Sequence, residues 1–174
     1  MKKQNSKVRI AMVDQIAPEE LRAAMRHWAT GVALVTVDDH NHGHGMTVNS
    51  FTSISLIPPL IMVSMEQTTR THRLTLDDGR FAVAILREDQ KDLSEIFAGR
   101  TSDEDNRFKG VEKEFSPSGI PVPTGTLAVF DCTVERTINA GTHTLFIARV
   151  KHIQISAGGP PLLYFNRDYH KFSK

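Results

Sequence analysis

A chain of 174 residues with a formal net charge of +1 fits one domain that buries its own core, without a field to recruit nucleic acid or an anionic membrane. With 40% hydrophobic and 24% charged residues, the composition is that of an ordinary globular protein. The single cysteine, Cys132, excludes an internal disulfide; in the apolar run 127–134 it reads as a buried structural thiol. The longest apolar runs are of strand length, short of the roughly 20 residues a spanning helix needs. Residues 1–7 are basic, but no apolar signal core follows, so residues 1–16 read as a flexible tail ahead of one domain over 17–174, with no membrane partner and a cytoplasmic location.

In chain order, Ala17-Pro18-Glu19-Glu20 predicts a helix start, with proline in the first turn and acids at the positive end of the dipole. Leu21, Ala24, Met25 and Trp28 continue at helical spacing until Gly31. Residues 32–37 predict a strand, and the polar turn 38–45 predicts an antiparallel return. Residues 60–65 are nearly all apolar and predict a central strand. A short helix over 71–78 should close at Gly79, followed by a buried strand over 81–86 and a helix over 89–97 stopped by Gly99. Residues 100–119 are charged and loop-like, with Phe108, Val111 and Phe115 as anchors, and 120–123 form an extended connector. Two long strands, 126–138 and 142–155, flank a hairpin turn at Asn139-Ala140-Gly141, and a last strand covers 162–165. About seven strands and three short helices without regular alternation argue against a parallel doubly wound sheet and for a mainly β, closed antiparallel barrel with peripheral helices.

The richest chemistry lies in residues 45–60, where small hydroxyl and amide side chains are interleaved with apolar ones before Pro58-Pro59. Alternation puts Thr47, Asn49, Ser53 and Ser55 on one face, offering hydrogen bonds without fixed charge. Such a face suits a flat polar heterocycle better than a metal or a phosphodiester; it is also what a solvent-facing strand of an antiparallel sheet presents. Gln67-Thr68-Thr69-Arg70-Thr71-His72 opens a predicted helix, where amides, hydroxyls and an arginine make either an anion cradle or a threonine cap beside a surface arginine. His40, His42 and His44 alternate in a turn and read as a solvated tip, with no metal site assigned. No G-x-G-x-x-G or P-loop is present.

Five segments, in order, resemble the flavin reductase-like family, small NAD(P)H:flavin oxidoreductases: residues 29–36, 45–60, 81–99, 141–148 and 161–169. The match spans about residues 21–172. The resemblance implies a split β-barrel, usually a homodimer with flavin near its interface. It also implies FMN or FAD as acceptor, NADH or NADPH as hydride donor, and reduced flavin diffusing to a flavin-dependent monooxygenase. Cofactor contacts are then expected at Met46, Thr47, Val48, Asn49, Ser50, Ser53 and Ser55, and at Gln67, Thr69, Arg70 and Thr71, where the family meets the flavin phosphate. Phe97, Arg167 and Tyr169 complete the expected set, the last two either closing over the cofactor or forming a packing clasp at a dimer interface. His143 falls at the family's nicotinamide-contacting histidine, although Thr142 stands where an aspartate is usual. Arg70, Arg100 and Arg167 are each candidates to face a 2′-phosphate. Two rival readings are a non-catalytic flavin-binding or electron-carrier protein on the same barrel, and a dimeric interaction module whose polar face is merely solvated.

Overall fold

The computed structural model describes residues 16–99, 106–156 and 158–172. The expected tail, Ile16 apart, and Arg100 lie outside them. Among the described residues, no helix is long and apolar enough to cross a membrane.

The principal sheet is antiparallel and seven-stranded. Its strands are β2 (Ala33–Val37), β3 (His44–Val48), β4 (Thr52–Leu56), β5 (Pro59–Glu66), β6 (Arg80–Ile85), β9 (Ala128–Ala140) and β10 (His143–Ile155), in the order β3-β2-β6-β9-β10-β5-β4. The ladder is open: β3 and β4 are its edges and do not pair, which corrects the expectation of a closed barrel. Yet these edges are joined by only Asn49-Ser50-Phe51, so the sheet curls until they meet. The split lies at this link. Extending the β4–β5 register, Thr52 opposite Met62, sets Ser50 opposite Ser64. There the Ser50 hydroxyl donates to Ser64 O at 2.7 Å and accepts from Ser64 N at 3.2 Å. One side chain thus satisfies the backbone groups that a longer β4 would have paired.

Two apolar clusters hold the sheet from either face. In β2, Ala33, Val35 and Val37 enter the inner cluster with Val63, Met65, Phe81 and Phe146, while Leu34 enters the outer one with Phe97, Ile120 and Leu162. This two-sided burial explains why β2 and β6 are mostly apolar, Thr36 and the leading Arg80 apart. β5 buries only alternate residues and is next to the edge rather than central.

Helix α1 (Pro18–Met25) ends short of Gly31 and buries none of its residues; Leu21, Met25 and Trp28 stay exposed. Thr30–Gly31 instead form β1, which pairs with β11 (Leu163–Phe165) and thereby with β12 (Asp168–His170). Residues 120–123 are more than a connector: β7 (Lys113–Phe115) pairs with the buried β8 (Pro121–Pro123). Phe108 anchors this region in the outer cluster, but Phe115 is exposed. The remaining helices, α2 (Arg70–Asp78) and α3 (Lys91–Phe97), fall close to expectation, α2 closing on a left-handed Gly79. The long hairpin turns at Gly141-Thr142, a step later than expected.

Cys132 is fully buried, and desolvation, reinforced by neighbouring Asp131, pushes its thiol up to about 12. It is therefore expected to resist a thiol reagent at mildly alkaline pH in the folded protein and to react once denatured; rapid labelling of folded protein would contradict this.

Candidate functional site

The site is built where the sheet splits. Three clefts meet at Asn49, an exposed residue on the link between the edge strands. The middle one, 170 Å³, is lined by Val32, Thr47, Val48, Asn49, Ala98, Tyr164 and Tyr169. Through Thr47 and Ala98 it continues into a polar cleft of 510 Å³ that holds Thr68, Thr69, Arg70 and Thr71. On the other side an apolar cleft of 590 Å³ opens between Trp28, Phe51 and Ile85. The whole forms one trough: charged at one end, where Arg70 and Arg107 lie with Glu66, uncharged but hydrogen-bonding in the middle, aromatic beyond.

At the polar end, Thr69 caps α2: its hydroxyl accepts from His72 N at 3.3 Å and donates to Glu66 O at 2.8 Å. Arg70 is held by Asp39 from the β2–β3 turn, Nη2 to Oδ2 at 3.1 Å. The Asp39 side chain is only 2% exposed, and its Oδ1 accepts the amides of Asn41, His42 and Gly43. Burial alone would raise the Asp39 carboxyl; the three amides and Arg70 outweigh it and hold the group below the usual carboxylate range. Thr71 is buried, and among the described residues its hydroxyl has no hydrogen-bond partner. Arg107 also lines this cleft, donating to Gly45 O and Phe97 O.

In the middle, Thr47 donates its hydroxyl proton to Ser94 O at 2.6 Å, which leaves its oxygen as an acceptor toward the cleft. Ser94 also bonds the Tyr169 hydroxyl at 2.9 Å, so α3 positions both walls. Tyr169 packs edge-on against Tyr164. At the aromatic end, the Thr30 hydroxyl is another buried polar atom without a partner among the described residues.

Of the residues singled out from sequence, Met46, Thr47, Val48, Asn49, Ser50, Thr69, Arg70, Thr71, Phe97 and Tyr169 line this trough. Phe97 is itself fully buried, stacked edge-on against Phe108. Arg167 lines an adjoining cleft that also touches Asn49. Ser53 and Ser55 lie on β4 beyond the split and line none of these clefts. Gln67 bridges strands, donating to His143 O at 3.2 Å and reaching the Thr144 hydroxyl at 3.4 Å. His143 itself opens β10, opposite Glu66, with Nδ1 3.0 Å from the Thr142 hydroxyl, and does not line the trough. His44 is buried at the start of β3, whereas His40 and His42 are exposed on the turn. Sequence reasoning missed Asp39, Trp28 and Tyr164. Asp39 looked like one more turn residue, and Trp28 like part of a helical stripe.

These donors fit a flavin. A phosphate would meet Arg70, the Thr69 and Thr71 hydroxyls and the start of α2; the ring edge would meet uncharged groups at Thr47, Asn49 and Ser50. The buried Thr71 hydroxyl, without a partner among the described residues, has its proton left to donate.

Comparison with known proteins agrees. Residues 25–173 match the model of the flavin reductase like domain, and the chain belongs to that family. It is 42% identical over 153 residues to the NADH-dependent flavin reductase StyB of Pseudomonas fluorescens, covering 86% of each chain. Among solved structures it resembles flavin reductase PheA2 with a TM-score of 0.83 and 36% identity, over 91% of this chain and 100% of that one. It also resembles the Streptomyces globisporus C-1027 NADH:FAD oxidoreductase SgcE6 in complex with NAD and FAD fragments, with a TM-score of 0.83 and 28% identity, over 92% and 98% of the two chains.

Proposed function

We propose that this chain is a flavin reductase that takes hydride from NADH, passes it to FMN or FAD, and releases reduced flavin to a flavin-dependent monooxygenase. The observation that carries this reading is the trough at the split, with Arg70 and the threonines of the α2 start at one end and the uncharged Thr47 and Asn49 in the middle. When bound, the flavin supplies the hydride-accepting atom of its ring. The protein anchors the phosphate at Thr69, Arg70 and Thr71, lays the ring along Thr47, Asn49 and Ser50, and walls it with Tyr169. In this reading residues 17–174 are the flavin-binding unit of a cytoplasmic protein that draws on cellular NADH. The relatives' names favour NADH over NADPH. A steady-state assay crossing FMN and FAD with NADH and NADPH tests it; flavin binding without turnover would point to an electron carrier instead.

The reading includes a homodimer. Leu56 and Ile57 at the β4–β5 tip are 84% and 94% exposed, and Ile153 and Ile155 of β10 are exposed as well. Apolar surface of this kind suits a subunit interface. His143, off its own trough, would contact nicotinamide across that seam. His143→Ala is then expected to leave FMN affinity nearly intact while raising KM for NADH or slowing flavin reduction in stopped flow. Loss of flavin binding with normal NADH kinetics would overturn that role, and a stable, active monomer in light scattering would overturn the dimer.

A further inference from the structure

We propose that the cleft between α1 and the β11–β12 hairpin binds the diphosphate of the nicotinamide dinucleotide, with Arg26 and Arg167 as its cations. This rests on the flavin reductase reading above and adds the place where the second ligand's charge is held. The cleft has a volume of 250 Å³, and Arg22, Arg26, Trp28, Asn166 and Arg167 are among its lining residues. It shares Asn49 and Tyr164 with the middle of the trough, and Met25 and Trp28 with the apolar cleft. The site thus has cations at two separate ends, Arg70 at one and Arg26 with Arg167 at the other, and Asn49 between them.

A flavin mononucleotide carries one anionic group and has no use for both ends. Hydride transfer brings two ring systems to about 3–3.5 Å of each other. Their anionic tails repel and are best led away from the stacked rings in different directions. A neutral centre with a cationic exit on each side meets both demands. The flavin tail leaves toward Arg70, and the dinucleotide tail toward Arg26 and Arg167.

The local structure suits this task. Arg22 is engaged by Glu19 at 3.1 Å, whereas neither Arg26 nor Arg167 has a carboxylate partner among the described residues. Arginine is the side chain that meets phosphate oxygens with a planar fork. Trp28, 67% exposed, offers a flat face beside them for a base or nicotinamide ring. The hairpin tip is tied to α1 by Asn166 N donating to Arg26 O at 3.2 Å. Asn166 and Arg167 both take left-handed backbone angles, φ 50° and 67°, uncommon outside glycine. The fold therefore holds Arg167 beside Arg26.

The test is the full-length double variant Arg26→Gln, Arg167→Asn. Asparagine tolerates the left-handed backbone, and the Arg26 carbonyl that anchors the hairpin is kept. KM for NADH should rise about tenfold or more, while Kd for FMN, read by fluorescence titration, stays within about twofold. ADP-ribose, which carries the diphosphate without nicotinamide, should compete with NADH in the wild type and weaken by a similar factor in the variant. Arg26→Lys should recover part of the loss, and Arg136→Ala, an exposed change on β9, should alter nothing. Unchanged KM for NADH and unchanged ADP-ribose inhibition would overturn the assignment. So would weakened FAD with unaffected NADH, which would give the cleft to the second phosphate of FAD. A wild-type chain that neither binds flavin nor oxidises NADH would overturn the underlying reading, and this assignment with it.

Discussion

Replacing Thr69 and Arg70 together by alanine is expected to weaken FMN binding by about 10²–10⁴-fold, because each loses a contact to phosphate worth about 1.5–3 kcal/mol. The Arg70 side chain is 33% exposed, which places its share toward the lower figure. Riboflavin, which has no phosphate, should bind the variant nearly as it binds the wild type. Thr69 also caps α2, so the change is expected to cost about 1 kcal/mol of stability as well. Arg70→Ala alone, which leaves the Thr69 cap in place, separates that cost from the loss of ligand. Fluorescence titration with both flavins measures the difference; equal weakening of FMN and riboflavin would place the phosphate elsewhere.

Asp39→Ala should be among the most destabilising changes outside the apolar core. It strips an acceptor from three backbone amides of the β2–β3 turn and removes the anchor of Arg70. A loss of about 3–5 kcal/mol is expected from breaking a buried, hydrogen-bonded charge. Asp39→Asn should cost less, since its carbonyl oxygen can still accept the amides. The folded carboxyl is held below its unfolded value, so its contribution is present above the ordinary carboxylate range and is lost as pH falls through the folded value. The asparagine variant should accordingly show a flatter acid limb in its stability profile. Urea unfolding across acid and neutral pH measures this; a variant as stable as the wild type with the same acid limb would refute the anchoring role. Both variants should also weaken FMN more than riboflavin, because Arg70 loses its support.

Much of this architecture is written in local chemistry. The α2 start is legible because Thr69 both caps the helix and precedes an arginine, and the long hairpin because Gly141 supplies the one tight turn between two apolar runs. The run from Thr47 to Ser50 was legible as a hydrogen-bonding surface, but its alternation misled for Ser53 and Ser55. The link at Asn49-Ser50-Phe51 breaks the strand, and the period does not carry across a split. Helical spacing from Leu21 to Trp28 reads as one helix running to Gly31, yet α1 stops at Met25 and buries nothing; Met25 and Trp28 line a cleft instead. Short pairings such as β7–β8 and β11–β12 have too few residues to show a period. The hold of Asp39 on Arg70 and the meeting of Arg26 with Arg167 depend on long-range folding, which no local pattern records.

The most direct measurement is anaerobic mixing of catalytic amounts of the purified protein with excess FMN and NADH, following the bleaching of flavin absorbance. The account predicts reduction of many equivalents of FMN per protein, with matching oxidation of NADH, undiminished by a metal chelator. Reduction that stops after one equivalent, or tight flavin binding with no NADH oxidation, would contradict it.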